Sequence, residues 1–386
     1  MDTFTVISIV SFIIIVGYLG EYAFLKFKFP DILILMLIGF FITFFMNLNV
    51  NFILYNYMPV AATISLIIIL FEGGVSLHLF TIKNVIKESS LMAFLYYSLS
   101  LFFITILLYW VFSFNFSISL LYGSILSAPS VAIVIPLINR SGMNERIRHL
   151  YIVNTTILDL LSIVVTISLV QYYPITIMTI IPVTEALVTN IFAQLLFGIF
   201  TGIFWIELLR KIERVELSYM LTLGFLFLIY AFSYLMWKNG MITAITFGIV
   251  LGNNIIFRKL LKLKEYTIDE NIFKFNKEVV FFMRTAIFVA IGSIFIFHNF
   301  NITTLYYILA IIGVIYIVQL AVYYLAERKT PDKYIHYLMP RGLTQIVLGI
   351  IVISSISTIQ ISFIENISLI VIITNIISST IIYIKK

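Results

Sequence analysis

The chain alternates between long apolar stretches and short polar connections along its whole length. A helix needs about 20 mainly apolar residues to cross the hydrocarbon core of a bilayer, so each stretch predicts a membrane span. We place thirteen spans, numbered in chain order, at residues 4–25, 30–47, 58–80, 90–113, 116–138, 148–171, 184–208, 217–236, 240–257, 277–297, 302–325, 340–358 and 363–384. Short connections use up the rest, so we expect one all-α, polytopic membrane domain over residues 1–386 and no soluble domain.

The basic residues predict the orientation. When the connections are assigned alternately to two sides, 21 of the 24 lysines and arginines fall on one side and Lys238 alone falls on the other. Cytoplasmic connections carry the excess of Lys and Arg in membrane proteins. We therefore predict a multi-pass protein of the cell membrane with its N-terminus outside and its C-terminus in the cytoplasm.

The composition excludes several other classes of protein. Hydrophobic residues make up 62% of the chain, charged residues only 11%, and the mean hydropathy is +1.11. The absence of cysteine excludes disulfides, thiolate metal sites and cysteine nucleophiles. The pI of 9.2 reflects cations in the connections, so we expect the lipid bilayer and not nucleic acid as the partner. We expect no cofactor. The sequence contains no glycine-rich phosphate loop, so it does not indicate an ATP-driven pump.

The odd number of spans suggests inverted repeats around a central helix. Residues 1–171 would form the first repeat, residues 184–208 a linking helix and residues 217–384 the inverted second repeat. Spans 5 and 12 occupy corresponding positions and both contain helix-breaking residues, in Ser127-Ala128-Pro129-Ser130 and Pro340-Arg341-Gly342-Leu343-Thr344-Gln345. Backbone groups freed by such breaks are tolerated in a membrane where they line a cavity or bind an ion. The pattern favours a secondary transporter with crossed broken helices.

Two cations, Arg284 and Arg341, are left over when the others are assigned to connections, and two acids, Glu72 and Asp159, lie deep within spans 3 and 6. A charge at the bilayer centre costs at least ~2.5 kcal/mol, which favours a functional role. Thr155 lies one helical turn before Asp159, and a carboxylate with a hydroxyl is a plausible ligand pair for a hard cation. Gly73 and Gly74 after Glu72 permit close helix approach. The alternative is that these charges form structural ion pairs between helices.

Several short motifs, in this order, resemble those of the monovalent cation:proton antiporters, in the NhaP-like branch with its Kef-like relatives. They are Phe29-Pro30-Asp31-Ile32-Leu33 with Ile38-Gly39, Leu70-Phe71-Glu72-Gly73-Gly74, Ser127-Ala128-Pro129-Ser130, Asp159, and Pro340-Arg341-Gly342. The resemblance covers essentially the whole chain and implies exchange of Na⁺ or Li⁺ for H⁺, with a role in pH homeostasis. It also implies a homodimer with its face at spans 1 and 8, and a moving core of spans 5, 6, 12 and 13.

The chain departs from the family pattern at three positions. Leu158 replaces a polar residue before the aspartate, and Ser130 stands where a broken-helix aspartate is usual. Asn154 replaces a glutamate, so the salt bridge expected to Arg341 becomes at most a hydrogen bond. Arg284 stands where relatives keep a lysine or arginine, and arginine there goes with electroneutral exchange.

The resemblance implies that Asp159 binds either a proton or a cation, one per cycle, which gives 1:1 exchange without net charge. Thr155, the Ser130 hydroxyl and the carbonyls freed at Ser127 to Pro129 would complete the oxygen shell of the ion. Glu72 would add a direct or water-mediated ligand, which makes Asp159, Thr155 and Glu72 the expected ligands of transported Na⁺. Arg341 would neutralise carbonyls stranded beside Gly342.

Other functions stay open at this level. A K⁺/H⁺ antiporter of the same fold, a cation channel without obligatory proton exchange and an organic-anion transporter share the same sequence pattern. The choice between Na⁺ and K⁺ depends on cavity size and oxygen number, which side-chain types do not give. An enzyme acting on lipid-linked substrates would need catalytic groups at the membrane surface, whereas the acids here lie inside the spans. We therefore expect a transporter and not an enzyme.

Overall fold

The computed structural model describes residues 11, 14–15, 17–20, 31–46, 57–77, 79, 85–139, 145–212, 218–262, 270–294, 302–326 and 338–384. These residues form helices and connections, with no β-strand among them. The helices are α1 (Asp31–Met46), α2 (Met58–Ser76), α3 (Ile86–Ile106, continued by a π-helix over Leu107–Val111), α4 (Phe116–Leu126), α5 (Val131–Asn139), α6 (Glu145–Gln171), α7 (Ile177–Lys211), α8 (Ser218–Trp237), α9 (Met241–Gly252), α10 (Asn254–Leu260), α11 (Glu270–Ile294), α12 (Ile302–Ala326), α13 (Leu343–Ser355) and α14 (Ser362–Ile384).

The helices coincide with the predicted spans 2 to 13. Most of span 1 lies outside the described residues, as do Phe29 and Pro30 of the first motif. Seven described helices are long and apolar enough to cross a membrane, and α9 with α10, bent by 82°, would make an eighth. The number of thirteen spans and the orientation of the termini therefore stay predictions.

Spans 5 and 12 are both interrupted, as their sequences predict. Span 5 consists of α4 and α5, separated by residues 127–130. Pro129 explains the break, because its ring excludes helical conformation at the preceding residue and it has no N–H to donate. Span 12 begins as an extended segment over residues 338–342, and its helix starts only at Leu343.

Two close helix contacts position the acid in span 3. Helix α1 packs along α11, and α2 packs along α9. A Cβ atom at Gly74 would collide with the Ile245 carbonyl, and one at Gly248 would collide with the Phe71 carbonyl. Of the close approach predicted from Gly73 and Gly74, the structure shows the contact at Gly74, between α2 and α9, whereas a Cβ atom at Gly73 would meet no atom within 4 Å. The predicted repeats pair each span with the span seven places later, so span 2 corresponds to span 9 and span 3 to span 10. Under this pairing, the contact of α1 with α11 (spans 2 and 10) corresponds to the contact of α2 with α9 (spans 3 and 9).

Candidate ion-binding site

The two helix breaks cross in direct contact. The backbone N–H of Ser130, at the first break, donates a hydrogen bond of 2.9 Å to the carbonyl of Pro340, at the second. Gly342 lies against the same serine, and a Cβ atom at this glycine would be only 2.8 Å from the Ser130 Cβ and Oγ atoms. The crossing therefore requires glycine at position 342, because any side chain there would push the breaks apart.

Arg341 stabilises the carbonyl end of α4. Its side chain is fully buried and donates two hydrogen bonds to the Leu126 carbonyl, of 3.1 Å from Nε and 2.8 Å from Nη2. It also donates to the Met339 carbonyl at 2.7 Å and to the Tyr96 hydroxyl at 2.9 Å. The C-terminus of a helix carries a partial negative charge, so the guanidinium is balanced by the α4 dipole and by carbonyl oxygens.

Further side chains donate hydrogen bonds to carbonyls at and just before the first break, including that of Gly123, which also accepts from the Ser127 N–H. These bonds run from Ser127 Oγ to the Gly123 carbonyl (2.6 Å), from Tyr97 Oη and Ser162 Oγ to the Ser124 carbonyl (3.1 and 2.9 Å), and from Gln345 Nε2 to the Ala128 carbonyl (3.0 Å). An unsatisfied carbonyl is expensive in a membrane, which accounts for this density of donors. The break is therefore a rigid feature, held by side chains from four other segments.

The second break is satisfied in the same way. The Arg341 N–H donates to Thr374 Oγ1 at 3.1 Å, and the Arg341 carbonyl accepts from Asn375 Nδ2 at 2.6 Å. The Gly342 N–H donates to Gln345 Oε1 at 2.7 Å. Because Gln345 also donates to the Ala128 carbonyl, its amide connects the two breaks.

Asp159 lies beside this crossing, on α6. Its side chain is buried, with 6% of the residue exposed, and its Oδ2 atom accepts a 3.0 Å hydrogen bond from Thr344 Oγ1. Its Oδ1 atom is buried and meets no donor at hydrogen-bonding geometry. Helix α5 begins at Val131, whose backbone N–H faces the carboxyl group. No ion pair to Asp159 is present among the described residues.

A cavity of 370 Å³ connects Asp159 with the protein surface. One wall is formed by α5 and α6, with Val131, Thr156 and Asp159, and the other by α2, α9 and α11. The cavity extends to Ser76 and Lys277, which are both exposed. An aqueous route therefore leads to the buried carboxyl group from one side of the protein.

Glu72 lies on the wall opposite Asp159 and is held by two neighbours. Its Oε2 atom accepts a hydrogen bond of 2.5 Å from Asn276 Nδ2, and Asn276 Oδ1 accepts one of 3.1 Å from the Tyr219 hydroxyl. Arg284 lines the same cavity and lies 6.0 Å from the centre of the Phe281 ring. The cavity thus contains an acid on each wall and two cations on α11, Lys277 and Arg284.

The structure brings together most of the residues that the sequence singled out. Asp159, Glu72 and Arg284 line the cavity, and Ser130, Pro129 and Gly342 lie at the crossing. The positions of the remaining predicted residues differ in detail from what the sequence suggested.

Thr155 is buried, but the threonine that lines the cavity is Thr156, whose hydroxyl donates to its own helix at the Ile152 carbonyl, 2.8 Å away. The Ser127 hydroxyl likewise donates within α4. The hydrogen bond considered for Asn154 and Arg341 is not formed, and Asn154 Oδ1 is buried with no donor.

Three polar residues of the site were not assigned a role from the sequence. Thr344 and Gln345 directly follow the Pro-Arg-Gly motif, so their position at a broken helix was a usable signal. Asn276 gave no signal in the sequence, because it lies 204 residues from Glu72 and belongs to no motif. Only the packing of α11 against α2 brings the two together.

Comparisons with known proteins agree with this geometry. The sequence profile of the family described as "Sodium/hydrogen exchanger, transmembrane" matches residues 10–384. No curated protein sequence matches the chain.

The fold is similar to that of the sodium proton antiporter MjNhaP1 from Methanocaldococcus jannaschii. Its structure at pH 8 superposes with a TM-score of 0.80 and 19% identity, covering 98% of this chain and 97% of that one. An electron-microscopy map of MjNhaP1 gives a TM-score of 0.77 at the same 19% identity, covering 98% and 95%. At this identity the likeness establishes the fold alone, and it confirms the prediction of an all-α fold of the NhaP type. The family match over nearly the whole chain shows that the protein belongs to the sodium/hydrogen exchanger family of membrane transporters.

Proposed function

We propose that the protein exchanges Na⁺ for H⁺ by letting the two ions compete for Asp159. The observation that carries this mechanism is a buried carboxyl group in a surface-connected cavity, with one oxygen held by Thr344 and the other without a donor or an ion pair. An isolated ionised carboxylate is unstable in such surroundings. A proton or a metal cation stabilises the carboxylate by neutralising its charge. Once one of them is bound, the charge that would attract the other is gone.

The proposed cation ligands are oxygens close to the crossing. The Ser130 hydroxyl is fully buried and, like Asp159 Oδ1, has no hydrogen-bond partner, so both are free to face an ion. Glu72 would add a ligand from the opposite wall, directly or through water. Thr155 and the carbonyls at Ser127 and Pro129 stay predictions as ligands, as does the homodimer.

The cavity mouth supports access from the cytoplasm. Ser76 is the last residue of α2, and Lys277 lies about two turns inside α11. The distribution of basic residues assigns this side of the protein to the cytoplasm. We propose that the described arrangement is the state in which Asp159 exchanges ions with the cytoplasm, and that spans 5, 6, 12 and 13 move to expose it to the other side.

Competition predicts how pH changes the apparent affinity for Na⁺. Lowering the pH protonates Asp159 and should raise the KM for Na⁺, by about tenfold per pH unit where protonation dominates, with an unchanged maximal rate. The measurement is dequenching of a pH dye in proteoliposomes after addition of Na⁺, Li⁺ or K⁺ in turn. A KM independent of pH would rule out competition, a response to K⁺ alone would indicate a K⁺/H⁺ antiporter, and cation flux without any pH change would indicate a channel.

Exchange of one cation for one proton should move no net charge. We expect the rate in proteoliposomes to change less than about twofold when the membrane potential is clamped between 0 and −100 mV. If one elementary charge moved per cycle, 100 mV would supply about 2.3 kcal/mol, which shifts the transport equilibrium roughly 50-fold. A rate that follows the potential would therefore exclude electroneutral exchange.

A further inference from the structure

We propose that Thr344 is a positioning residue for Asp159, and that its hydroxyl sets the pH at which exchange begins. The inference rests on the proposed competition at Asp159 and adds the residue that holds the carboxyl group in place. Thr344 belongs to the first turn of α13, in the second half of the chain, while Asp159 lies on α6 in the first half. The contact therefore joins the second broken helix to α6 at the carboxyl group itself.

The position of Thr344 in its helix leaves the hydroxyl available for this contact. Threonines within membrane helices usually donate to the carbonyl four residues earlier, as Thr156 does here with Ile152. For Thr344 that carbonyl belongs to Pro340, which lies before the helix and already accepts from the Ser130 N–H. The buried Thr344 hydroxyl instead donates to Asp159 Oδ2 at 3.0 Å.

The first turn of α13 is held firmly enough to position a partner. Gln345 accepts from the Gly342 N–H at 2.7 Å and donates to the Ala128 carbonyl at 3.0 Å, so the helix start is fixed to the other break. Thr344 and Gln345 are 3% and 0% exposed, so the protein surrounds both side chains at the start of the helix. Thr344 thus provides a firmly placed donor to Asp159 Oδ2, beside the Val131 N–H and the Gln345 amide that also face the carboxyl group.

A hydroxyl suits both steps of an exchange cycle. It donates a hydrogen bond to the ionised carboxylate and can rotate to accept one from the protonated acid, whereas an ammonium group can only donate and a carbonyl can only accept. Thr344 can thus remain paired whether Asp159 carries a proton or binds a cation. In the ionised form it leaves Oδ1 to face the ion, and it stabilises the carboxylate against protonation.

The test compares Thr344→Val, which removes the hydroxyl at constant shape, with Thr344→Ser, which keeps it. Thr201→Val is the matched control, because it makes the same change at a buried threonine of α7, outside the cavity, whose hydroxyl donates to its own helix at the Phe197 carbonyl, 2.8 Å away. The KM for Na⁺ and the pH profile of exchange are measured in proteoliposomes. For Thr344→Val we expect the pH profile of exchange to shift by about one unit to higher pH. The KM for Na⁺ should rise about tenfold at the acidic end of the profile and should equal the wild-type KM at alkaline pH. Thr344→Ser and Thr201→Val should follow the wild type.

Three outcomes would overturn the proposal: an unchanged pH profile in Thr344→Val, a maximal rate lowered equally at every pH with an unchanged KM, or a Thr344→Ser variant that behaves like valine. Thr344→Ala provides the same measurement if valine prevents assembly, and failure of both variants to assemble would assign Thr344 a structural role instead. Failure of the proposed function is recognised separately, because the wild-type KM would then be independent of pH.

Discussion

Replacing Asp159 by Asn is expected to reduce Na⁺/H⁺ exchange to the rate of protein-free liposomes. The amide has nearly the shape of the carboxyl group and can still accept the Thr344 hydrogen bond, so the fold should be retained. It carries no titratable proton and no charge to attract Na⁺ into a desolvated site. The measurement is Na⁺-induced dequenching of a pH dye, made on protein that elutes as a single species in detergent.

The matched control for this prediction is Glu185→Gln, an acid-to-amide change at an exposed position near the start of α7. It should exchange at the wild-type rate. Appreciable exchange by Asp159→Asn would remove this residue as the carrier of the ions. If Asp159→Asn loses both exchange and the single elution peak, the variant has a folding defect. Asp159→Glu, which retains the carboxyl group but displaces it, would then distinguish a folding defect from loss of the charge.

Replacing Arg341 by Ala is expected to prevent stable assembly. The change leaves the Leu126 and Met339 carbonyls and the Tyr96 hydroxyl buried without their donor. Each buried polar group left unpaired costs about 1–3 kcal/mol, so the total destabilisation is roughly 3–9 kcal/mol, comparable with the whole stability of many folded proteins. The amount of folded protein and its melting temperature in detergent, followed by fluorescence-detected gel filtration, measure the effect.

Arg148→Ala is the control for Arg341, since it removes an arginine whose ion pair with the exposed Glu145 is 3.5 Å long and lies at the surface. Such pairs contribute little, so folded yield should be unchanged. Normal yield and melting temperature for Arg341→Ala, with transport abolished, would contradict a stabilising role. They would place the guanidinium in the ion path instead.

Local sequence carried much of the information on the breaks and the central acid. Pro129 interrupts any helix by its covalent structure, and an aspartate among some twenty apolar residues is too costly in lipid to be neutral. Asp159 could therefore be singled out without knowing its neighbours. The partner of Arg341 could not, because the family pattern suggested residue 154, whereas the guanidinium reaches the carbonyl end of α4.

Hydrophobic patterning by itself determined that this protein is a bundle of membrane helices with few charges inside the spans, and the helix-breaking residues determined that span 5 is divided and that the helix of span 12 starts late. These properties depend on each segment separately, since lipid requires apolar side chains and internally satisfied backbone groups. Tertiary structure alone decided that Thr344 reaches Asp159, that Gln345 connects the two breaks and that Asn276 holds Glu72. Those contacts join residues 185, 217 and 204 positions apart, and a single sequence carries no record of which distant side chains meet when the helices pack.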